Sequence, residues 1–237
     1  MSFIVVIPSR FASTRLPGKP LLDIAGMPMI QHVWLQALKS EAAEVIIATD
    51  NEEIKNVATA FGAKVCMTSE KHESGTDRLQ EVVKLMGWAD DQVIVNVQGD
   101  EPLIPPAVIN QVAELMQNDA QEMATLYEVV DTVEQLFDSN VVKLVEDRQG
   151  QALYFSRAAI PWVRDAFAQG QPTQLPEGVA FKRHIGIYGY RAKLLNQFVQ
   201  WSVAELEALE KLEQLRAMAN GVSIAVAEAL ESIPAGV

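Results

Sequence analysis

The chain has 237 residues, of which 49% are hydrophobic, so it can bury one large core as a single domain or a domain with an insertion. Its 31 acidic residues outnumber 19 lysines and arginines, and the formal charge of −12 makes nucleic acid and anionic membrane surfaces poor partners. The single cysteine, Cys66, excludes an internal disulfide, and the N-terminal apolar run is too short for a signal peptide or a membrane span. We therefore expect a cytoplasmic protein.

Short apolar runs alternate with amphipathic segments in the first half of the chain. They predict strands and helices in alternation, with strands at 3–7, 45–48, 64–67 and 93–97 and helices at 28–39, 49–61, up to 86, and 106–116. Pro8 is expected to end the first strand, and Asp50 is expected to cap the second helix. This spacing indicates an α/β fold, with a doubly wound, mostly parallel sheet flanked by helices.

The pattern changes near residue 123. The strands predicted there are not regularly separated by helices, and they fall at 123–130, 141–145, 152–155 and 184–190. An exposed loop is predicted at 166–178, and we expect the section at about 123–190 to extend the sheet and to carry substrate-binding and dimerisation contacts within one domain, 1–237. A final helix at 204–219 would place four leucines near one face, before a last strand at 223–227.

The loop after the first strand concentrates positive charge in an acidic chain. Arg10, Arg15 and Lys19 lie within ten residues, and Pro17 and Gly18 prevent a helix there. A loop at the carboxyl end of a parallel strand is where open α/β sheets bind ligands, so this loop is typical of a polyphosphate cradle. The alternative is a solvated loop whose cations pair with nearby acids. The loop matches neither a P-loop nor a dinucleotide fingerprint.

A second polar segment follows the predicted strand at 93–97. Asp100 and Glu101 suit a hard cation such as Mg²⁺, which takes one or two protein carboxylates and completes its shell with water and phosphate oxygens. The alternative is an ordinary turn before Pro102. Cations and a metal carboxylate at one sheet edge are what a nucleoside triphosphate needs.

Other candidate residues are less specific. The segment 74–78 (SGTDR) could contact a base or a carboxylate, or it could start a helix capped by Ser74. Arg157 and Arg164 could clamp a substrate carboxylate in bidentate fashion, although surface arginines are usually only solvated. The three scattered histidines and one cysteine offer no zinc-type spacing.

Six segments in order carry a resemblance that covers essentially the whole chain. They read RFASTRLPGKP at 10–20, HESGTDR at 72–78, VNVQGDEP at 95–102, LYFSRA at 153–158, HIGIY at 184–188 and LEQLR at 212–216. Together they resemble the 3-deoxy-manno-octulosonate (Kdo) cytidylyltransferases, the CMP-Kdo synthetases of lipopolysaccharide synthesis. The resemblance implies a Rossmann-like nucleotidyltransferase fold of the nucleotide-diphospho-sugar transferase type, a homodimer, CTP and Mg²⁺. It also implies attack of the anomeric hydroxyl of Kdo on the α-phosphate, giving CMP-Kdo and pyrophosphate.

The same resemblance implies roles by motif position. The triphosphate would be held by Arg10, Ser13, Arg15 and Lys19, the cytosine would meet Ser74, and Mg²⁺ would bind Asp100. Lys19, Asp100 and Arg10 would be the catalytic residues. The sugar pocket would be formed by Arg78, Gln98, Arg157, Arg164, His184, Tyr188, Glu213 and Gln214.

The expected mechanism follows from charge. The attacking sugar approaches a polyanion, so cations must neutralise charge in the transition state, and positioning supplies most of the rest. No general base is obvious in the sequence. The hypothesis is that metal coordination lowers the pKa of the attacking hydroxyl, and Asp100→Asn tests it.

Two departures from the resembled family leave alternatives open. Ser9 stands where the family often has alanine, which changes little. The family normally continues after 234–237 with an aspartate that is a second metal ligand, so we expect either a truncated sequence or a metal held by Asp100 and ligand oxygens alone. The alternatives are therefore cytidylyl transfer to a related acidic sugar (sialic acid or an 8-amino Kdo analogue) and a CTP-binding protein without activity. A purely structural interaction protein would not need Arg10, Lys19 and Asp100 at one sheet edge.

Overall fold

A computed structural model describes residues 2–11, 16–72 and 74–234 of the chain. The strands in these ranges, in chain order, are β1 (Phe3–Ser9), β2 (Asp23–Ile24), β3 (Met27–Pro28), β4 (Glu44–Thr49), β5 (Lys64–Met67), β6 (Val93–Asn96), β7 (Met123–Val129), β8 (Lys143–Glu146), β9 (Ala152–Ser156), β10 (Lys182–Arg191) and β11 (Ile224–Glu228). The helices are α1 (Met29–Ala37), α2 (Glu52–Ala60), α3 (Gly75–Met86), α4 (Pro106–Leu115), α5 (Val133–Phe137), α6 (Ala192–Phe198), α7 (Glu205–Glu210) and α8 (Gln214–Ala219). A short 3-10 helix spans Lys19–Leu21.

One large sheet organises the molecule, with strand order β11-β7-β10-β6-β1-β4-β5. β6, β1, β4 and β5 are mutually parallel, and β11 is parallel to β7. β10 runs antiparallel to both of its neighbours, β6 and β7, and it also pairs with the β8–β9 hairpin. The prediction of an α/β fold with a mostly parallel mixed sheet flanked by helices is confirmed.

Both faces of the sheet are covered, which follows from the alternation of side chains along β1. Because successive residues of a strand point to opposite faces, Val5 and Ile7 join the apolar cluster that α1 and α4 complete. Val6 joins the cluster on the other face, which includes Val82 of α3. Strands buried on both faces read as continuous apolar runs, as the segment 3–7 does.

Two local predictions in the first half are wrong. Pro8 lies inside β1, where it is tolerated because pairing with β6 ends at Val6 and nothing requires the missing N–H on that side. The cap of α2 is Asn51, whose side chain accepts hydrogen bonds from the backbone N–H groups of Glu53 (2.9 Å) and Ile54 (3.1 Å), while Asp50 has a different partner.

The predicted helix at 204–219 is wrong, because the chain breaks at Lys211, which has a φ of +56°. Glu207 accepts two hydrogen bonds from Arg216, at 2.6 and 2.8 Å. In one continuous helix these residues would lie about 13.5 Å apart along the axis, so this buried ion pair requires the break. Leu206 and Leu209 are therefore exposed instead of sharing a buried face with the leucines of the second half.

The predicted loop at 166–178 has no regular structure, as expected, but it is not exposed throughout. Phe167 is buried against Phe181 and Leu136 in a small apolar cluster. The loop is thereby anchored beside β10, the strand that joins the two halves of the sheet.

Candidate active site

A cavity of about 340 Å³ opens at the carboxyl ends of β1 and β6. Five segments supply its walls: the end of β1, the end of β6, the start of α3, the second half of β10 and the turn between α7 and α8. It is lined by Pro8, Arg10, Gly75, Thr76, Arg78, Asn96, Gln98, Tyr188, Tyr190, Lys211, Leu212, Glu213 and Gln214. The cavity therefore brings together six of the predicted site residues, namely Arg10, Arg78, Gln98, Tyr188, Glu213 and Gln214.

Lys19 and Asp100 lie at the same sheet edge as the cavity. Nζ of Lys19 donates to Oδ2 of Asp100 at 2.7 Å, although the two residues are 81 positions apart. Gly18, with a φ of +71°, starts the 3-10 helix that carries Lys19. Ser13 and Arg15 lie outside the described residues, so their roles in binding the triphosphate stay predictions.

Gly99 explains how the loop after β6 approaches the end of β1. A Cβ atom at this position would lie 2.8 Å from the backbone oxygen of Pro8, a contact that only glycine avoids. The close approach places Asp100 beside the loop that follows β1. The next carboxyl, Glu101, is buried; burial, and then the neighbouring Asp100 charge, raises its pKa to about 7.

The donor set at this edge fits a hard cation with few protein ligands. Within the described ranges no three His, Cys, Asp or Glu side chains converge on one point, so these residues alone do not form a closed metal cage. Asp100 is a half-exposed carboxylate, and Mg²⁺ typically takes one or two such groups together with water and phosphate oxygens. Asp100 is thus the residue that could hold a metal.

The start of α3 forms one wall of the cavity. The Ser74 hydroxyl accepts the N–H of Asp77 at 3.1 Å, so the predicted helix cap is confirmed. Two residues further on, the Thr76 hydroxyl donates to Oε2 of Glu213 at 2.7 Å. This contact joins the start of α3 to the segment that leads into α8.

Arg78 is fully buried and ties three elements together beneath the cavity. Its guanidinium donates to Oδ2 of Asp50 at 2.6 Å and to the hydroxyl of Thr68. Asp50 follows β4 and Thr68 follows β5, so Arg78 holds α3 to the carboxyl ends of both strands. Its Nε atom is buried and has no hydrogen-bond partner among the described residues.

His184, Tyr188 and Tyr190 form an aromatic column along β10. Nε2 of His184 lies 3.0 Å from the hydroxyl of Thr125, and desolvation lowers the pKa of His184 to about 3. The Tyr188 ring lies 5.2 Å from the imidazole and 5.6 Å from the Tyr190 ring. Burial raises the pKa of both phenols, so both tyrosines are neutral. His184 does not line the cavity itself but supports Tyr188, which does.

Arg157 and Arg164 do not reach the cavity in this structure. Nε of Arg157 donates to the backbone oxygen of Glu210 at 2.7 Å, and its NH1 group donates to the backbone oxygen of Ser139 at 2.8 Å. Arg164 is exposed and pairs with its neighbour Asp165 at 2.8 Å. Their roles in the sugar pocket stay predictions.

Several residues that line the cavity were not predicted as site residues, and Asn96 and Tyr190 are two of them. Asn96 is buried at the end of β6, and its Oδ1 atom has no hydrogen-bond partner in the described part of the chain; the same holds for Nε2 of Gln214. Buried polar groups are normally paired, so these atoms are suited to a ligand. Tyr190 could have been found from the two-residue period of strands, because it shares a face with Tyr188.

Known proteins match the chain over its full length. A sequence model of the family described as Cytidylyltransferase matches residues 4–224. A 3-deoxy-manno-octulosonate cytidylyltransferase of Cellvibrio japonicus (strain Ueda107) is 59% identical, with 100% of this chain and 93% of the relative covered. The enzyme of that name from Saccharophagus degradans (strain 2-40 / ATCC 43961 / DSM 17024) is 58% identical, with 100% and 94% covered. A solved CMP:2-keto-3-deoxy-manno-octonic acid synthetase complexed with CTP has a TM-score of 0.91 and 40% identity, with 100% of this chain and 93% of that chain covered.

These matches agree with the geometry of the sheet edge. The cavity, the Lys19–Asp100 ion pair and the capped start of α3 occur on a backbone that superposes on a nucleotide complex. The match to the first of these relatives spans all six segments that carried the resemblance, because it covers the whole chain. The chain is a nucleotidyltransferase and belongs to the cytidylyltransferase family, among the 3-deoxy-manno-octulosonate cytidylyltransferases.

Proposed function

We propose that this chain transfers the cytidylyl group of CTP to Kdo and releases pyrophosphate, with CMP-Kdo serving lipopolysaccharide synthesis. The names of the full-length relatives support the substrate pair. The structural observation that carries the proposal is the Lys19–Asp100 ion pair at the edge of a polar cavity. A positive group and a metal carboxylate at one end, with hydrogen-bonding side chains at the other, suit a triphosphate facing a polyhydroxy acid.

We assign the nucleotide to the strand-end side of the cavity. Arg10 and Lys19, together with Ser13 and Arg15, would hold the triphosphate, and Ser74 with the neighbouring backbone would meet the cytosine. The start of α3 also offers backbone N–H groups and the positive end of a helix dipole, which favours anionic ligands. Electrostatic attraction at this edge would concentrate CTP on an otherwise acidic protein.

We assign the acceptor sugar to the side formed by β10 and the turn between α7 and α8. Gln98, Tyr188, Glu213 and Gln214 line this side, and the fixed polar groups there can hydrogen-bond several hydroxyls. Arg78 lies at the boundary, and the Kdo carboxylate needs a positive partner of this kind. His184 would act by supporting Tyr188, while Arg157 and Arg164 would need to move to reach the same sugar.

Mg²⁺ is the proposed cofactor, with Asp100 as its protein ligand. Bound there, it would supply positive charge next to the phosphate oxygens and favour ionisation of the attacking hydroxyl. The Lys19 side chain, which can reach Asp100, would offer a second positive group to the same phosphates.

The bond changes of the proposed reaction balance without a further reactant. The oxygen of the anomeric hydroxyl forms a bond to the α-phosphorus, the bond from that phosphorus to the bridging oxygen breaks, and pyrophosphate leaves with that electron pair. The hydroxyl proton passes to solvent. The chain contributes by holding the two reactants in line and by placing Arg10 and Lys19 where negative charge develops.

We also propose a cytoplasmic homodimer. Leu153 of β9 and Trp162 are large, exposed hydrophobic residues in the section at about 123–190, which the sequence assigns to dimerisation. The single cysteine suits a reducing compartment. None of the described helices is long and apolar enough to cross a membrane.

The test is pyrophosphate release from CTP and Mg²⁺ by this 237-residue chain, with Kdo, sialic acid or 8-amino Kdo as acceptor. Release with Kdo at a kcat/KM at least about tenfold above the other acceptors supports the proposal. Comparable release with sialic acid would favour the broader acidic-sugar alternative. Saturable CTP binding without release for any acceptor would favour the inactive CTP-binding alternative.

A further inference from the structure

A hydrogen bond between Thr76 and Glu213 spans the cavity wall. The Thr76 hydroxyl donates to Oε2 of Glu213 at 2.7 Å, and both residues line the cavity. Thr76 belongs to the first turn of α3, on the nucleotide side, whereas Glu213 precedes α8, on the sugar side. This contact therefore connects the two halves of the site directly, across 137 positions of sequence.

Other hydrogen bonds fix the two segments that carry Thr76 and Glu213. The first turn of α3 is fixed by the Ser74 cap, and Thr76 itself is only 6% exposed. The segment before α8 is fixed by the ion pair of Glu207 with Arg216, which closes the turn between α7 and α8. On a helix, threonine is largely restricted to two χ1 rotamers, and the 2.7 Å hydrogen bond to Glu213 favours the one that points the hydroxyl at this carboxylate.

The bond uses only one oxygen of the carboxylate. Oε1 of Glu213 has no hydrogen-bond partner among the described residues, and no other side chain in that part of the chain donates to this carboxylate. An ionised carboxylate can accept several hydrogen bonds, so the free oxygen can still accept one from a ligand. Without Thr76 the carboxylate could rotate, and the direction in which Oε1 points would no longer be set.

We propose that Thr76 is a positioning residue for the acceptor sugar, which fixes the Glu213 carboxylate so that Oε1 accepts a hydrogen bond from a sugar hydroxyl. This inference rests on the proposed function, because it assigns Glu213 to the sugar side of the cavity. Thr76 does not touch the reacting atoms. It acts through Glu213, and its effect belongs to acceptor binding and orientation, not to the binding of CTP.

The test compares Thr76→Val, which keeps the shape but removes the hydroxyl, with Thr76→Ser, which keeps the hydroxyl. We expect Thr76→Val to raise the KM for Kdo by about tenfold, because hydrogen bonds to a charged group are stronger than neutral ones. The KM for CTP should change by less than about twofold, and Thr76→Ser should restore the KM for Kdo to near the wild-type value. Thr59→Val makes the same chemical change at an exposed site on α2 and should alter neither constant.

Two kinetic results would overturn the inference. One is a KM for Kdo that Thr76→Val leaves unchanged. The other is a parallel rise of both KM values with a lowered melting temperature, which would make Thr76 a structural residue only. A crystal structure of Thr76→Val adds a readout that needs no turnover: a Glu213 carboxylate that stays in place would also overturn the inference. If the wild-type chain released no pyrophosphate, the proposed function would fail, while the position of Glu213 in that crystal structure would still decide the role of Thr76.

Discussion

Nζ of Lys19 lies 2.7 Å from Oδ2 of Asp100, and this ion pair joins the loop after β1 to the loop after β6. The two strands are adjacent and parallel, so their carboxyl ends meet at one edge of the sheet. Gly99 allows the second loop to approach Pro8 closely enough for the pair to form. The residue proposed to bind phosphate and the residue proposed to bind metal are thus held within direct contact.

Asp100→Asn should lower kcat by at least about 100-fold, because the amide keeps the size of the side chain but removes the charge proposed to hold Mg²⁺. Steady-state pyrophosphate release at saturating CTP and Kdo measures the change. Asp91→Asn is a matched control. Asp91 is exposed and precedes the start of β6, at the end of the strand away from the cavity, so this substitution should leave kcat unchanged. Turnover near the wild-type value in Asp100→Asn would rule out the metal role.

Asp50→Ala should lower the free energy of unfolding by about 3 kcal/mol, because it leaves the fully buried guanidinium of Arg78 without its charged partner. Urea denaturation at pH 7 measures the change. The control is Glu52→Ala, which removes the exposed pair with Lys55 and should cost less than about 1 kcal/mol. Equal losses in the two variants would contradict the buried ion pair.

His184 should make stability depend on pH below its ordinary pKa. Its folded pKa of about 3 lies below the unfolded value near 6.5, so in this window the unfolded chain binds a proton that the folded chain does not. The unfolding free energy should therefore fall as the pH drops from 6.5 to 5, by up to about 2 kcal/mol from this residue. The measurement is the difference between wild type and His184→Gln at the two pH values, and a difference independent of pH would refute the prediction.

Gly99→Ala should lower the free energy of unfolding by about 1–3 kcal/mol, because its Cβ would lie 2.8 Å from the Pro8 oxygen, which is backbone and cannot swing away. Thermal or urea denaturation measures the change. Gly75→Ala is the matched control: a Cβ there meets nothing within 4 Å, and alanine suits a helix. Stability should be unchanged or slightly higher in the control, and an equal loss in both variants would exclude the steric cause.

Local chemistry explains why much of the sheet was predictable. The run Lys64–Met67 forms β5 as predicted, because Gly62 ends the preceding helix and the short segment that follows is mostly apolar. Ser74 caps α3 as predicted, because its hydroxyl needs only the backbone three residues ahead. Features that depend on neighbouring residues can be read from the sequence.

Features that depend on distant residues could not be read in this way. The break at Lys211 could not be predicted from a glycine, because the residue with the positive φ is a lysine. The Glu207–Arg216 pair that accompanies the break forms only once the turn exists. Likewise, Asp50 looked like a helix cap, while its actual partner, Arg78, comes from another element.

In the candidate site, too, some features could be predicted from the sequence and others depended on contacts between distant residues. Gln98, Tyr188 and Glu213, which were named from motif positions, line one cavity, because the order of strands brings their segments together. A motif does not reveal whether a side chain is already engaged, and Arg157 is bound to the backbone of Glu210. Asn96 was overlooked because an amide inside an apolar strand gives no sign of lacking a partner.

The turn at Lys211 gives the two ends of the cavity different tolerance for sequence change. One end is formed by β1 and β6, whose neighbouring residues fill the main core, so a substitution there disturbs the whole sheet. The other end is formed by two helices of six residues each, of which Leu206 and Leu209 face solvent. Substitutions at the exposed positions of α7 should therefore be tolerated better than substitutions at the ends of β1 and β6, so the end proposed to bind the acceptor sugar can change its sequence more freely than the end proposed to bind CTP.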